Sequence, residues 1–171
     1  MNPSLKDIFA EAKHIVTKAN AAGLKIGTAE SCTGGLIGAA ITAIPGSSNC
    51  FNGGIIAYDN KIKQTQLNVP PKLLASFGAV SQEVAVAMAS NSIDALGVDI
   101  AVSVTGIAGP GGGSAEKPVG LVFIGIAIGS YVKIQRFEFG DIGRNKVRDQ
   151  TCYEALKILH IAVESMLKKQ L

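Results

Sequence analysis

The chain has 171 residues, with 16 basic and 13 acidic side chains and a formal charge of +3 at pH 7. Apolar residues make up 47% and charged residues 17%, which excludes an intrinsically disordered protein and favours a well-filled core in a single domain over residues 1–171. The basic residues are scattered, and neither a signal-peptide pattern nor an apolar window of about 18 residues is present, so we expect a cytoplasmic protein that binds no nucleic acid and no membrane.

The first third of the chain alternates helix and strand patterns. Apolar residues at helical spacing predict a helix over Leu5–Ala22, with Ser4 as its N-cap and Gly23 as its stop. A short strand is predicted over Lys25–Glu30. A helix of small and apolar residues is predicted over Gly34–Ala43.

The rest of the chain continues this alternation and adds one hairpin. The predicted strands are Gly54–Tyr58, Ile100–Thr105, Gly120–Ile128 and Tyr131–Phe139, and the predicted helices are Lys61–Leu67, one that starts at Pro71, Gln82–Leu96 and one from about Asn145 to Lys169. A tight turn at Gly129-Ser130 joins the last two strands into an antiparallel hairpin. The pattern predicts an α/β fold: a three-layer α/β/α sandwich with a mixed, mostly parallel sheet containing one antiparallel hairpin.

The segment AESCTGG, Ala29–Gly35, lies between a predicted strand and a predicted helix. Backbone N–H groups and the positive end of a helix dipole converge on such a turn. A Ser31 hydroxyl placed there would lie near donors able to stabilise an oxyanion, which makes Ser31 a candidate nucleophile. The alternative is that Ser31 or Thr33 only caps the helix.

Cysteine and histidine content argues against a metal centre or a disulfide framework. The three cysteines, Cys32, Cys50 and Cys152, show no CxxC spacing, and His14 and His160 each lie inside a helical pattern. We therefore expect no metal and no cofactor. Cys32 remains a rival nucleophile to the serine beside it, but no histidine partner is evident, and a buried structural thiol is the alternative.

The segment YDNKIK, Tyr58–Lys63, directly follows a predicted strand and supplies two lysines. Without a histidine base, a serine can still be activated by a lysine whose pKa is lowered by burial or by a cationic neighbour. Lys61 and Lys63 are both candidates for that base. The alternative is that both are solvated residues of a short helix.

The segment TGIAGPGGGSAEKPVG, Thr105–Gly120, follows a predicted buried strand and contains six glycines after its threonine. Glycines let the backbone approach a ligand closely and form an anion-binding nest. The segment matches neither GxxxxGK[ST] nor GxGxxG, so no ATP or dinucleotide fingerprint is present. A flexible surface loop is the alternative, but an irregular segment of this length within a compact domain favours a functional role.

Basic residues also cluster where the last helix begins. Arg144, Lys146 and Arg148 place cations at a helix start, where they oppose the helix dipole unless an anion or a carboxylate meets them. The pattern indicates either an anion-binding site or an exposed basic face.

These segments occur in an order that resembles the CinA C-terminal domain family. The similarity runs from about Lys25 to Gln150 through AESCTGG, PGSS–F, GGIIAYDNKIK, GAVSQEVAVAMA, VTGIAGPGGGSAEKPVG and GD–VR. The resemblance implies an amidohydrolase that converts nicotinamide mononucleotide to nicotinate mononucleotide and ammonia, with a small nucleotide as its partner. Larger CinA proteins also carry an N-terminal pyrophosphatase-like domain, and we expect no pyrophosphatase activity here.

The resemblance also implies roles for individual residues. It gives Ser31 as the nucleophile, Lys63 as its base and Tyr58 as a residue that orients the reactants or relays a proton. It implies substrate contacts by Glu30, Cys32, Thr33, Gly34, Ser48, Thr105, Gly106, Ala108, Gly109 and Arg148. The family commonly has GDR where this chain inserts Ile142-Gly143, so the resemblance assigns no role to Arg144.

Two other function classes stay open at this point. One is a non-catalytic nucleotide-binding or regulatory module in which Ser31 only caps a helix. The other is an amidase or esterase for a different small acyl substrate. Release of ammonia from nicotinamide mononucleotide distinguishes these two classes from the nicotinamide-nucleotide amidase. The sequence does not determine the oligomeric state, and a homo-oligomer stays open.

Overall fold

The computed structural model describes residues 3–170, and the side chains of residues 3–168, as a sheet between two helical layers. The strands are β1 (Ile26–Glu30), β2 (Phe51–Ile56), β3 (Ile100–Gly106), β4 (Leu121–Ile128) and β5 (Tyr131–Glu138). The helices are α1 (Leu5–Ala22), α2 (Leu36–Thr42), α3 (Asn60–Leu67), α4 (Pro71–Phe77), α5 (Gln82–Leu96) and α6 (Arg144–Gln170), with a short 3₁₀ turn at Ser47–Asn49.

The five strands form one mixed sheet in the order β2-β1-β3-β4-β5. β1 pairs in parallel with β2 and β3, whereas β4 is antiparallel to both of its neighbours. Four strands therefore run in one direction and β4 in the other. Helices α1, α2 and α6 cover one face of the sheet and α5 covers the other, with α3 and α4 packed on α5. This confirms the predicted three-layer fold and its hairpin.

Burial across the sheet follows from the positions of the strands. β3 lies at the centre, with six consecutive buried residues, as expected for a strand that is covered on both faces. β2 lies at an edge and alternates between half-buried and exposed residues. Apolar side chains of α1 and α6, including Ile15 and Leu156, pack with Ile26 and Val102 of the sheet to form the largest core cluster.

Several predicted element ends were wrong by a few residues. α2 begins at Leu36 rather than Gly34, because Gly34 and Gly35 adopt left-handed backbone conformations with φ of 62° and 100°. β2 begins at Phe51 rather than Gly54, because pairing with Ile26 extends the strand through residues of low β-propensity. The same strand ends at Ile56, which leaves Tyr58 beyond it.

The parallel strands bring the motif-bearing segments to one end of the sheet. Ser31 follows β1, the Ala57–Tyr58 pair follows β2, and Gly106 ends β3. The Ser31 N–H donates to the carbonyl of Val104 at 3.0 Å, so the serine turn is fastened to the central strand. Ligand sites of open α/β sheets lie beyond the carboxyl ends of such strands.

None of the helices in residues 3–170 has both the length and the apolar character that a membrane crossing requires.

The close packing of α5 on β4 gives a stability prediction at Gly125. A Cβ added there would lie 2.6 Å from Ser103 Oγ and 3.0 Å from the backbone carbonyl of Ala85, which belongs to α5. We expect Gly125→Ala to lower the free energy of unfolding by about 1–3 kcal/mol, because the helix must shift away from the sheet. Urea denaturation measures this change.

Gly111→Ala is the matched control, since a Cβ at Gly111 would meet no atom within 4 Å. We expect it to change the free energy of unfolding by no more than about 0.5 kcal/mol. Equal effects of the two substitutions would contradict the packing described for α5.

Candidate active site

The turn that carries Ser31 is organised by the buried carboxylate of Glu30. This carboxylate accepts hydrogen bonds from the Thr33 hydroxyl at 2.7 Å and from the N–H groups of Gly35, Ile37 and Gly38 at 2.9, 3.1 and 2.8 Å. Gly35, the N-cap of α2, has no side chain for this purpose, so Glu30 satisfies the free N–H groups in its place. The sequence predicted Glu30 to contact substrate, whereas the structure turns both of its oxygens into this turn.

Ser31 lies at the bottom of a cavity of about 200 Å³ at the carboxyl ends of β1, β2 and β3. The cavity is lined by Ser31, Cys32, Tyr58, Lys63, Ala79, Val80, Thr105, Gly106, Ala108 and Arg144. Only 8% of Ser31 is exposed, so a substrate must enter the cavity to reach its hydroxyl.

Lys63 is the ionisable side chain that contacts the hydroxyl of Ser31. It projects from α3, is 1% exposed, and has its Nζ 3.1 Å from Ser31 Oγ. The same Nζ lies 2.7 Å from the carbonyl oxygen of Ala57 and 3.1 Å from that of Tyr58. Burial lowers the pKa of Lys63, and the carboxylate of Asp59 opposes that effect without cancelling it.

Lys61, the competing lysine of the sequence motif, lies elsewhere on α3. Its side chain is exposed, and its backbone N–H donates to the capping carboxylate of Asp59 at 2.7 Å. The structure therefore brings Lys63 to Ser31 and leaves Lys61 in solvent.

Cys32 lines the cavity but is poorly suited to attack a substrate. It is 6% exposed, and burial raises the pKa of its thiol to about 12. Because the thiolate is the nucleophilic form, a thiol that stays protonated at neutral pH is inert. The contacts favour Ser31 over Cys32 as the nucleophile.

The backbone beside Ser31 offers donors for an oxyanion. Within residues 3–170, the N–H groups of Cys32 and Thr33 donate to no oxygen acceptor and lie close to the Cys32 sulfur, whereas the next N–H, that of Gly34, donates to the Ser31 carbonyl at 3.1 Å. Free backbone N–H groups next to a nucleophile are the usual components of an oxyanion hole.

A hydrogen-bonded bridge crosses the mouth of the cavity. Arg144 Nη2 donates to the Tyr58 hydroxyl at 2.8 Å, and Arg144 Nη1 donates to the Gly109 carbonyl at 3.0 Å. The Tyr58 hydroxyl contacts neither Ser31 nor Lys63, so no contact supports the expected proton relay; only the Tyr58 carbonyl reaches the lysine. The sequence places Arg144 in a basic cluster, but the inserted Ile142-Gly143 obscures its register, so the family resemblance assigns it no role.

The structure does not bring all of the expected contact residues into this cavity. Glu30, Thr33, Gly34, Ser48, Gly109 and Arg148 are not among its lining residues. Arg148 contacts the serine turn from outside this lining, where its Nη2 donates to the Thr33 carbonyl at 2.9 Å.

Ser48 lies at the opposite end of the sheet from Ser31. It belongs to the 3₁₀ turn that precedes β2, and the start of β2 pairs with the start of β1. The five residues of β1 thus separate Ser48 from the cavity, by about 16 Å at ~3.3 Å per residue. Within one chain, the structure therefore does not bring Ser48 to Ser31.

Thr105 lines the cavity as expected, but its hydroxyl donates to the Ala79 carbonyl at 2.8 Å. This bond fastens the connection between α4 and α5 to the end of β3. Within the described side chains, no group of three His, Cys, Asp or Glu residues is placed to hold a metal ion.

Sequence comparisons relate most of the chain to one family. A family model described as the CinA C-terminal domain matches residues 9–163. A CinA-like protein of Geobacter sp. (strain M21) is 52% identical over 138 residues, which are 80% of this chain and 33% of that protein. The chain thus spans about a third of the length of the curated relatives that it matches.

Solved structures show the same fold. The crystal structure of the competence/damage inducible protein CihA from Agrobacterium tumefaciens has a TM-score of 0.90 and 44% identity, and the match covers 96% of this chain and 98% of that chain. A CinA superfamily protein from Klebsiella pneumoniae has a TM-score of 0.87 and 27% identity, with 92% and 98% covered.

The lowered pKa of Lys63 predicts how stability depends on pH. Between that pKa and the value of about 10.4 in an unfolded chain, the unfolded state binds more protons than the folded state. The contribution of Lys63 to stability therefore rises with pH through this window and is lost as pH falls. We expect the free energy of unfolding of the wild type, relative to Lys63→Met, to increase as the pH rises through this window toward about 10.4.

Denaturant titrations at several pH values measure this difference. Lys61→Met, which removes an exposed lysine of the same helix, is the control. A flat difference for Lys63→Met would show that its pKa is not lowered.

Proposed function

The chain belongs to the CinA C-terminal domain family, and from that premise we propose that it is an amidohydrolase that deamidates nicotinamide mononucleotide to nicotinate mononucleotide and ammonia. The observation that carries the proposal is the distance of 3.1 Å between the buried Lys63 Nζ and Ser31 Oγ. A module that only binds nucleotides has no need of this pair. A buried amine that contacts a hydroxyl and pairs with no carboxylate favours a catalytic role over a purely structural one.

The contacts of Lys63 suit a neutral general base. A neutral amine has two N–H donors and one lone pair. The carbonyls of Ala57 and Tyr58 can accept both N–H groups, which directs the lone pair toward the hydroxyl of Ser31. The hydroxyl then donates its proton to Nζ, and the lowered pKa of Lys63 favours this role for the amine.

In the proposed reaction, Ser31 Oγ attacks the carboxamide carbon while Lys63 takes the hydroxyl proton. The carbonyl electron pair moves to oxygen, and the free N–H groups of Cys32 and Thr33 stabilise the resulting oxyanion. One such donor is worth about 2.7–4 kcal/mol in enzymes where it has been removed. The protonated Lys63 then gives its proton to the amide nitrogen as the C–N bond breaks, so ammonia leaves and an ester to Ser31 remains.

Water completes the cycle by the same route. Lys63, neutral again, takes a proton from the water that attacks the ester, and then returns a proton to Ser31 Oγ as the ester bond breaks. The products are the free carboxylate and the regenerated serine.

Charge at the cavity mouth supports an anionic substrate. No lining residue is acidic, and Arg144 is held by two neutral acceptors with no carboxylate partner within residues 3–168. A guanidinium in this state can bind a phosphate through two parallel hydrogen bonds. In our proposal Arg144, rather than Arg148 or Ser48, meets the phosphate of the nucleotide.

Replacement of the nucleophile is the first test of this proposal. We expect Ser31→Ala to lower kcat for ammonia release by at least about a thousandfold, because the acyl-enzyme can no longer form. The variant should remain folded, since the serine lies at the edge of the core. Ser130→Ala, in the exposed hairpin turn, is the control and should keep full activity.

Replacement of the base separates the two lysines of the motif. We expect Lys63→Met to lose about as much kcat as Ser31→Ala, and the double variant to be hardly worse than either single one, because the two residues act as a unit. Lys61→Met should be nearly silent. If Lys63→Met retained more than about a tenth of the wild-type kcat, the Ser–Lys mechanism would be wrong.

A further inference from the structure

The glycine-rich segment Thr105–Gly120 is a folded loop with two limbs. The first half of the loop, its outgoing limb, contributes Gly106 and Ala108 to the cavity wall. This limb leads to the exposed tip of the loop, and the second half is the returning limb. The limbs pack closely, since a Cβ at Gly113 would lie 2.9 Å from the backbone nitrogen of Val119. The glycines therefore allow the loop to close on itself.

The returning limb presents Lys117 from a tight turn. The Ser114 N–H donates to the Lys117 carbonyl at 2.8 Å, and the Lys117 N–H donates to Ser114 Oγ at 3.0 Å. This reciprocal pair fixes the backbone of the lysine. Its side chain extends from the loop toward the connection between α4 and α5.

The Lys117 ammonium binds two carbonyl groups of that connection. Nζ donates to the Val80 carbonyl at 2.7 Å and to the carbonyl of Phe77, the last residue of α4. It forms no salt bridge with any carboxylate of the described side chains. Cations are favoured at the C-terminal end of a helix, where carbonyl groups lack intrahelical donors.

The same connection forms part of the active-site cavity. Ala79 and Val80 line it, opposite the Ser31 turn. Within residues 3–170, the carbonyls of Phe77, Ala79 and Val80 accept no bond from a backbone N–H outside the regular elements, and side chains hold them instead. Thr105 binds the middle carbonyl, and Lys117 binds the two on either side.

We propose that Lys117 is a positioning residue that straps the α4–α5 connection to the glycine-rich loop and so fixes one wall of the substrate cavity. The strap joins two lining segments, Ala79–Val80 and Gly106–Ala108, that are far apart in sequence. Ser31 and Lys63 are held by other elements, β1 and α3, and do not depend on it. The strap therefore governs how tightly the cavity holds substrate rather than the rate of the chemical step.

Lys117 itself does not line the cavity of Ser31. It borders a separate cleft on the far side of Val80, so a direct contact with substrate would require the side chain to leave its two carbonyls. Its effect on substrate is transmitted through the wall.

The test compares Lys117→Met, which keeps the aliphatic stem, with Lys72→Met on α4, an exposed lysine that serves as the control. Hydrogen exchange in the protein without substrate is the first readout. We expect the hydrogen-bonded amides of the two wall segments, Gly78 next to Ala79–Val80 and Ile107 within Gly106–Ala108, to exchange at least about tenfold faster in Lys117→Met, with other segments unchanged. Lys117→Arg can still donate to both carbonyls and should restore slow exchange.

Kinetics with nicotinamide mononucleotide is the second readout and rests on the proposed function. We expect Lys117→Met to raise KM about tenfold and to keep kcat within about threefold of the wild type. Unchanged exchange of the two wall segments, or a fall in kcat at unchanged KM, would overturn the proposal. If the wild type released no ammonia, the proposed function would fail, while hydrogen exchange would still decide whether Lys117 fixes the cavity wall. Lys117→Gln replaces Lys117→Met if the latter does not fold.

Discussion

The contact on which the site depends is the burial of the Lys63 amine against Ser31. Transfer of an ammonium into a protein interior costs several kcal/mol unless a counter-charge compensates it, and no carboxylate of the described side chains pairs with this amine. The neutral form avoids most of that cost. Two backbone carbonyls that are free where β2 ends can accept its two N–H groups. Burial thereby lowers the pKa of Lys63, which is the direction that a general base requires.

Glu30, the residue before Ser31, is a second buried residue with an ionisable side chain. Its two oxygens accept hydrogen bonds from hydroxyl and backbone N–H donors at the start of α2, so burial is compensated locally. The N–H groups of Cys32 and Thr33 are not among the donors to Glu30. The Glu30 carboxylate thus holds the turn that carries Ser31, and the buried Lys63 amine contacts the Ser31 hydroxyl.

The sequence was sufficient for the layers of the fold and for the meeting of three motifs at one end of the sheet, because both follow from periodicity and strand direction. It could not separate Lys61 from Lys63, which point to different sides of α3, since only tertiary packing decides which side is buried. Arg144 and Arg148 lie one helical turn apart on α6. The family resemblance assigned a substrate contact to Arg148, whereas in the structure Arg148 donates to the Thr33 carbonyl and Arg144 lines the cavity. Ser48 matched a motif, but the direction of β2 carries it to the far end of the sheet.

The central claim is that Ser31 forms a covalent ester with the acyl group of the substrate. Mass spectrometry of the intact protein and of its peptides, after acid quenching of a single turnover of nicotinamide mononucleotide, tests it directly. The account predicts a transient mass increase equal to the substrate minus ammonia, confined to the peptide that contains Ser31 and absent from Ser31→Ala. Ammonia release at the wild-type rate with no adduct at any time, or an adduct on Cys32, would contradict it.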